Sequence, residues 1–123
     1  VAWVFYAGLA GNRYRKLAEK YLGGGRYGSV FTFGVKGGFE AGVRLVEACE
    51  LWSHLANIGD ARSLILHPAS TTHRQLTPEQ ATAAGAGPDT IRLSVGLETA
   101  DDLIADLDQA LDKAVNGAKK AAD

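Results

Sequence analysis

The sequence predicts an α+β domain in which a small, mostly antiparallel sheet carries helices packed on one of its faces. Three segments support this prediction. The stretch Asp89–Glu98 alternates apolar and polar residues, as a strand with one buried face does. The stretch Ser29–Val35 is rich in aromatic and β-branched residues, which favour strands. The stretch Thr99–Ala114 repeats apolar residues at helical spacing, and it opens with two aspartates that suit the positive end of a helix.

The N-terminal part of the chain is predicted to contain a helix, a strand and a second helix. An apolar run, Val1–Tyr6, precedes a helix with Asn12 as its N-cap and Gly23 as its stop. The strand Ser29–Val35 follows, and a Lys-Gly-Gly turn then leads into an amphipathic helix over Phe39–Trp52.

The middle of the chain is predicted to be short elements joined by turns. After the second helix come many turn-forming residues, among which Leu55 and Ile58 are expected to pack inward. The apolar run Ser63–His67 is predicted to be a short buried strand, because a proline stops it. A short helix then begins with a capping box over Thr77–Gln80. The last helix buries the stripe Leu103, Ile104, Leu107, Ala110, Leu111 and Ala114.

Length, composition and charge limit the possible functions. A chain of 123 residues, 46% hydrophobic and 22% charged, fits one domain with a substantial core. The formal net charge of -1, with no strong clustering of cations, argues against a nucleic-acid partner. No stretch approaches the roughly 20 apolar residues of a membrane span, so no membrane partner is expected. The single cysteine, Cys49, lies on the apolar stripe of the second helix and is predicted to be a buried thiol in a reducing, cytoplasmic protein.

Common catalytic and metal-binding motifs are not matched. The histidines His54, His67 and His73 lack the spacing of short metal motifs, so we expect hydrogen-bonded structural histidines and no metal. The run Gly23–Gly25 is not followed by the Gly-Lys-Ser/Thr of a phosphate loop. The sequence contains no Gly-x-Ser-x-Gly elbow, so a serine hydrolase is not indicated.

The alternating strand places one cation opposite an apolar face. The apolar positions are Ile91, Leu93, Val95 and Leu97, and the opposite positions are Arg92, Ser94 and Gly96. A guanidinium offers planar, paired donors that match a carboxylate, and its charge needs an anion or water nearby. The residues alone leave two interpretations equally weighted, because Arg92 could bind an anionic ligand or pair with one of the 14 acidic residues.

Several ordered blocks extend this argument, because they resemble a known family. The blocks Asn57–His73 and Ile91–Glu98, followed by the acidic-start helix, are similar to the C-terminal domain of pyridoxal-phosphate enzymes of cysteine and methionine metabolism. The blocks Phe33–Gly38 and Ser53–Asn57 are similar to the O-acetylhomoserine sulfhydrylase branch. The resemblance runs from about residue 6 to residue 114.

The resemblance implies roles for three residues in substrate binding. The arginine of the Arg-Leu-Ser-Val-Gly motif binds the α-carboxylate of the substrate in this family, and that role falls on Arg92. Asn57 stands where related lyases carry serine beside the same carboxylate, and its amide is expected to donate to that group. Thr72 is expected to line or order the pocket.

The resemblance also implies what the chain lacks. Family members hold pyridoxal 5'-phosphate through a lysine, phosphate-cradling residues and a stacking tyrosine in a large domain that precedes this one. Lys36 stands elsewhere in the family pattern. Residues 1–123 are therefore expected to be one domain, the C-terminal small domain of a cytoplasmic, homotetrameric enzyme. No catalytic or cofactor-binding residues are expected in this chain, which should be inactive alone.

The implied reaction is γ-replacement of acetate in O-acetylhomoserine by sulfide or a thiol, a step of methionine biosynthesis. A sister activity, such as methionine γ-lyase or cystathionine γ-synthase or lyase, is the nearest alternative. A stand-alone, non-catalytic carboxylate-binding domain is an alternative of another class, and it predicts a well-folded monomer. The enzyme hypothesis predicts instead an exposed apolar patch where the large domain docks.

Overall fold

The structure is a computed structural model that describes the backbone of residues 1–120 and the side chains of residues 1–115. Its strands are β1 (Trp3–Phe5), β2 (Val30–Gly34), β3 (Ser53–His54), β4 (Leu64–Leu66) and β5 (Thr90–Ser94). Its α-helices are α1 (Arg15–Leu22), α2 (Gly38–Ala48), α3 (Pro78–Ala83) and α4 (Ala100–Lys120), and a 3₁₀ turn spans Pro68–Ser70. No helix within the described residues is long and apolar enough to cross a membrane.

The five strands form one sheet in the order β1-β2-β5-β4-β3. All neighbours are antiparallel except β3 and β4, which are parallel. β5 therefore lies at the centre, with Leu93 opposite Phe31 on β2 and opposite Ile65 on β4. The predicted α+β fold with a mostly antiparallel sheet is confirmed.

One face of the sheet packs against α2 and α4 and forms the core. Residues opposite one another across a ladder share a face, so Ile91 and Leu93 point the same way as Phe33 and Ile65. These four side chains are at most 3% exposed. They join one cluster with the buried residues of the two helices, which include Ala41, Leu45, Val46, Leu103, Ala110 and Ala114.

The junction after α2 is held by a carboxylate on α4. Asp106 accepts hydrogen bonds from the backbone N–H groups of Glu50, Leu51 and Trp52, at 2.7–3.1 Å. These donors lie past the end of α2, where the backbone at Cys49 is extended and no longer helical, so a side-chain acceptor from α4 satisfies them. The chain consequently turns away at Cys49, and the helix ends four residues before the predicted boundary at Trp52.

Two predictions about the N-terminal region were wrong: the strand β1 was missed, and the N-cap of the first helix is Tyr14 rather than Asn12. β1 is an edge strand of only three residues. Such a short strand leaves too little alternation in the sequence for the apolar run to be identified as a strand. The first helix begins at Arg15, because Asn12 accepts a hydrogen bond from the N–H of Tyr14 at 2.9 Å in a turn before the helix. The Thr77–Gln80 capping box, in contrast, is confirmed.

Four apolar residues predicted to be inward are exposed. Their exposed fractions are 42% for Leu55, 64% for Ile58, 86% for Leu97 and 64% for Ile104. β5 ends at Ser94, so Leu97 lies past the pleat that would have turned it to the core. Ile104 follows the buried Leu103 directly, and consecutive residues of a helix point about 100° apart.

A glycine in α2 allows the helix to approach His67. A Cβ at Gly42 would lie 2.7 Å from Nε2 and 2.8 Å from Cδ2 of that ring. The ring is fully buried and is held at 3.0 Å from the Ser70 hydroxyl and at 2.9 Å from the Pro88 carbonyl. It therefore has little freedom to move aside.

Replacement of Gly42 by alanine is expected to destabilise the chain by about 1–3 kcal/mol, the usual scale of overpacking, although alanine favours helices. Urea unfolding of the 123-residue chain measures this difference. The double variant Gly42→Ala/His67→Ala is the control, because removal of the ring should abolish most of the penalty for the added methyl group. A stabilised Gly42→Ala variant would contradict this account of the contact.

Candidate functional site

The residue with the strongest prediction, Arg92, lies in the middle of the central strand on the face opposite the core. Its ladder partners are Thr32 on β2 and Leu66 on β4. Its neighbours along the same face of β5, Thr90 and Ser94, are both 2% exposed, whereas Arg92 is only partly buried. The guanidinium is thus a partly accessible cation on an otherwise covered stretch of sheet.

Arg92 does not form an ion pair with any acid whose side chain the structure describes. The ion pairs among residues 1–115 involve Arg15, Arg62 and Lys113. Arg92 instead donates from Nη2 to the backbone carbonyl of Asn57 at 3.2 Å. This carbonyl takes one of the five N–H donors of the guanidinium and neutralises no charge, so most of the donors remain available to an anion.

The structure brings Asn57 to Arg92 through its main chain. The side-chain oxygen of Asn57 accepts from the N–H of Ile58 at 2.8 Å. Its amide helps to lower the pKa of Asp60, an effect due first to the backbone N–H of Arg62. In this arrangement the Asn57 side chain stabilises its own loop, and its expected donation to a substrate carboxylate stays a prediction.

The structure does not join Thr72 to the other two predicted residues. Thr72 is exposed, and its hydroxyl lies 2.8 Å from Nδ1 of His73. Among the described side chains it forms no hydrogen bond with Arg92 or Asn57. The 3₁₀ turn that precedes it packs against β5, which places this loop beside the central strand. A role for Thr72 in the pocket stays a prediction.

A network around Glu98 lies at the end of β5 and was not predicted from the sequence. Glu98 accepts from the N–H of Ser63 at 2.9 and 3.0 Å and from its hydroxyl at 2.7 Å. The same hydroxyl accepts from the N–H of Gly96 at 2.8 Å. The only signal in the sequence is an acid two residues after a glycine, which is too common to indicate such a contact.

The remaining candidate groups are structural. His67 is fully buried, and because the Pro88 carbonyl can only accept, its Nε2 carries the hydrogen. Burial, reinforced by Asp106, raises the pKa of the Cys49 thiol to about 12, so this thiol is a weak nucleophile at neutral pH. The contacts of His67 agree with the prediction of a hydrogen-bonded structural histidine, whereas Cys49, which was predicted to be buried, is only partly buried. Among the described residues, no three His, Cys, Asp or Glu side chains are grouped as metal ligands.

The described residues do not fit a pyridoxal-phosphate site. Such a site needs a lysine held inside a pocket and donors that surround a phosphate. The lysines whose side chains are described are all exposed, and they lie on α1 (Lys16 and Lys20), in the turn before α2 (Lys36) and on α4 (Lys113). None of them is enclosed by a pocket that could hold a cofactor ring.

Apolar side chains are exposed along the N-terminal region. The exposed fractions range from 42% to 72% for the set that we call the N-terminal apolar surface, namely Val1, Val4, Phe5, Leu9, Leu17 and Tyr21. Part of this surface borders an open cleft of about 490 Å³, which Tyr6, Phe31 and Val95 also line. Val4 pairs with Phe33 and Phe5 pairs with Thr32, so these exposed side chains lie on both faces of the sheet. Apolar exposure of this extent is typical of an interaction surface rather than of a free monomer.

Comparison with known proteins places these features in context. The family model for the Cys/Met metabolism PLP-dependent enzymes matches residues 1–112. The chain is 53% identical over 111 residues to O-acetyl-L-homoserine sulfhydrylase 1 of Thermus thermophilus. This match covers 90% of the present chain and 26% of that protein. It is 51% identical over 114 residues to the homocysteine synthase of Schizosaccharomyces pombe, with 93% and 26% covered.

A solved structure agrees with these matches. A crystal structure assigned to an O-acetylhomoserine (thiol)-lyase of Campylobacter jejuni, which contains a pyridoxyl-lysine monophosphate residue, superposes with a TM-score of 0.79. The two sequences are 45% identical, and the match covers 89% of this chain and 26% of the other. This chain therefore spans about a quarter of the length of the proteins that it matches.

Proposed function

Because the chain belongs to the Cys/Met metabolism PLP-dependent enzyme family, we propose that it is the small C-terminal domain of an O-acetylhomoserine sulfhydrylase and that it binds the α-carboxylate of the substrate. The observation that carries this proposal is Arg92. It is a partly buried cation at the centre of the sheet, without an acidic partner among the described side chains.

The proposed reaction is a γ-replacement. The bond between Cγ of O-acetyl-L-homoserine and its ester oxygen breaks, acetate leaves, and sulfide forms a new carbon–sulfur bond that gives homocysteine. A thiol in place of sulfide gives the corresponding thioether, so methanethiol gives methionine. The relatives at 53% and 51% identity are a sulfhydrylase and a homocysteine synthase, which favours this reaction over cleavage of cystathionine or methionine.

The contribution of this chain is to position the substrate. A guanidinium that binds the carboxylate through two parallel hydrogen bonds fixes both the location and the plane of that group. The α-carbon is thereby held in one orientation relative to groups outside the chain, which is how positioning residues lower the entropic part of a barrier. The contact with the Asn57 carbonyl restrains the guanidinium before the substrate arrives.

The cofactor and the reacting groups are proposed to lie in a large domain. Since the described residues offer no pyridoxal-phosphate site, the cofactor is assigned to that domain, and the isolated chain is expected to be inactive. The N-terminal apolar surface supports docking of further protein on this one. We further propose that the complete enzyme is cytoplasmic and forms a homotetramer.

The activity of the full-length enzyme with its cofactor tests this function. With sulfide present, the enzyme is expected to convert O-acetyl-L-homoserine to homocysteine and acetate. The kcat/KM for this reaction should exceed that for cleavage of cystathionine or methionine by at least about tenfold, the scale of modest substrate discrimination. Faster cleavage of cystathionine or methionine would favour the sister activities. Tight binding of carboxylates to a monomeric, isolated chain would favour the non-catalytic alternative.

A further inference from the structure

We propose that Glu98 is a positioning residue, which acts through Ser63 and the loop 55–62 to hold Arg92 ready for the substrate carboxylate. This inference rests on the proposed function of Arg92 and extends it to a residue for which no role was predicted. The loop 55–62 joins β3 to β4 and carries Asn57.

Glu98 fastens the end of this loop. Both carboxylate oxygens accept from the backbone N–H of Ser63, and one of them also accepts from its hydroxyl at 2.7 Å. Ser63 is fully buried and immediately precedes β4. These hydrogen bonds have an ionised acceptor, so they are stronger than neutral ones.

The backbone that leads to Glu98 fits closely against the same part of the loop. The N–H of Leu97 donates to the Ala61 carbonyl at 2.8 Å. A Cβ at Gly96 would lie 2.3 Å from the Ala61 oxygen and 2.6 Å from the Ser63 nitrogen. Only glycine allows two backbones to approach so closely. Residues 96–98 and 61–63 therefore form one contact, which we call the Glu98 clamp.

The Glu98 clamp and Arg92 hold the loop at two points. Glu98 and Arg92 are six residues apart along the same stretch of chain, and the loop crosses from the clamp to the Asn57 carbonyl that accepts from Nη2 of Arg92. If the clamp loosens, that carbonyl is no longer fixed against the guanidinium. The orientation of Arg92 should then become less restricted before substrate binds.

The charge of Glu98 matters for the clamp. The hydrogen bonds from the side chain and backbone of Ser63 lower the pKa of the Glu98 carboxyl, although nearby Asp60 acts in the opposite sense. A glutamine would keep the size of the side chain but would offer one oxygen in place of two. The NH2 group of the glutamine would also have to face the N–H and O–H donors of Ser63. The change therefore tests the hydrogen bonds of residue 98 and not the volume of its side chain.

The test uses Glu98→Gln in the full-length enzyme. We expect KM for O-acetyl-L-homoserine to rise about tenfold, as expected when one ground-state positioning contact is lost, while kcat changes less than about twofold. The content of bound cofactor should stay the same. Glu47→Gln is the matched control, because Glu47 is an exposed glutamate on α2, and it should leave both constants unchanged.

A double-variant cycle distinguishes positioning from general destabilisation. If Glu98 acts through Arg92, the change Glu98→Gln should raise KM less than about twofold when Arg92 is already alanine, because coupled residues are not additive. Equal effects of Glu98→Gln with and without Arg92 would overturn the inference, and so would an unchanged KM in the single variant.

Two further variants keep the inference separate from the proposed function. If Glu98→Gln does not fold, Ser63→Ala removes only the hydroxyl from the clamp and should raise KM in the same direction by a smaller factor; an unchanged KM in that variant would overturn the inference. If Arg92→Ala itself leaves KM and kcat unchanged, the proposed function fails together with the inference. If only Arg92→Ala has an effect, the inference alone fails.

Discussion

Replacement of Arg92 by alanine in the full-length enzyme is expected to lower kcat/KM for O-acetyl-L-homoserine by about 30-fold to several thousand-fold. This range corresponds to about 2–5 kcal/mol, which is typical when one member of a hydrogen-bonded charge pair is removed. The loss arises because the α-carboxylate would then lie on a sheet face without a cation. Steady-state kinetics with varied amino-acid substrate measures it directly.

The controls for this variant separate the loss of a site from the loss of a fold. Arg92→Lys keeps the charge but cannot form two parallel hydrogen bonds, so it should fall between the wild type and alanine. Arg26→Ala removes an exposed arginine from the loop before β2 and should have no effect. Absorbance of the bound cofactor should be the same in all variants, since the cofactor is assigned to another domain. An unchanged kcat/KM in Arg92→Ala would remove this residue from the site.

Replacement of Asp106 by alanine is expected to lower the free energy of unfolding of the 123-residue chain by about 2–5 kcal/mol. The variant leaves the N–H groups of Glu50, Leu51 and Trp52 without their acceptor, and a buried, unsatisfied donor costs about 1–3 kcal/mol. Partial access of water to the junction limits the sum. Asp106 itself is 8% exposed, but two of the three donor residues, Glu50 and Leu51, are exposed, and water has access there.

The contribution of Asp106 should also depend on pH. Burial tends to raise the pKa of this carboxyl, but the N–H groups of Glu50, Leu51 and Trp52 together with Gln109 outweigh burial and lower it. A carboxyl with a lowered pKa stabilises the fold above its unfolded value of about 3.9, and the stabilisation is lost as pH falls through the folded value. The difference between wild type and Asp106→Ala should therefore shrink on acidification below about pH 4.

Urea unfolding at several pH values measures both effects. Asp108→Ala is the matched control, because it removes an exposed aspartate from the same helix and should change stability by less than about 0.5 kcal/mol. Asp106→Asn keeps one oxygen and should show an intermediate loss. If Asp106→Ala and Asp108→Ala unfold alike, the carboxylate does not hold the junction in the way that its contacts indicate.

The sequence was most informative where a pattern is local and periodic. The alternation in β5 placed Ile91 and Leu93 in the core and Arg92 on the opposite face, because the geometry of a strand leaves no other choice. Helix capping was equally local, which is why the box at Thr77 was found. The family resemblance then suggested an anion for Arg92, which periodicity could not identify.

The sequence was least informative where a contact joins distant segments. Glu98 and Ser63 are 35 residues apart, and Asp106 and Leu51 are 55 residues apart. Nothing in either pair indicates its partner until the fold is known. The same limit explains Asn57, whose predicted amide donor is used within its loop while its main-chain carbonyl reaches Arg92. The exposure of Ile104 shows that helical periodicity locates the buried stripe of a helix but does not define how many neighbouring residues that stripe includes.

The most direct test of this account compares two substrates that differ only in the α-carboxylate. The ratio of kcat/KM for O-acetyl-L-homoserine to that for its α-carboxamide should be large in the wild-type enzyme, since only the carboxylate pairs with Arg92. In Arg92→Ala the ratio should fall to within about tenfold of unity, because the remaining groups do not recognise the charge. A ratio that is the same in both enzymes would show that the carboxylate is bound elsewhere, and it would contradict the role proposed for this domain.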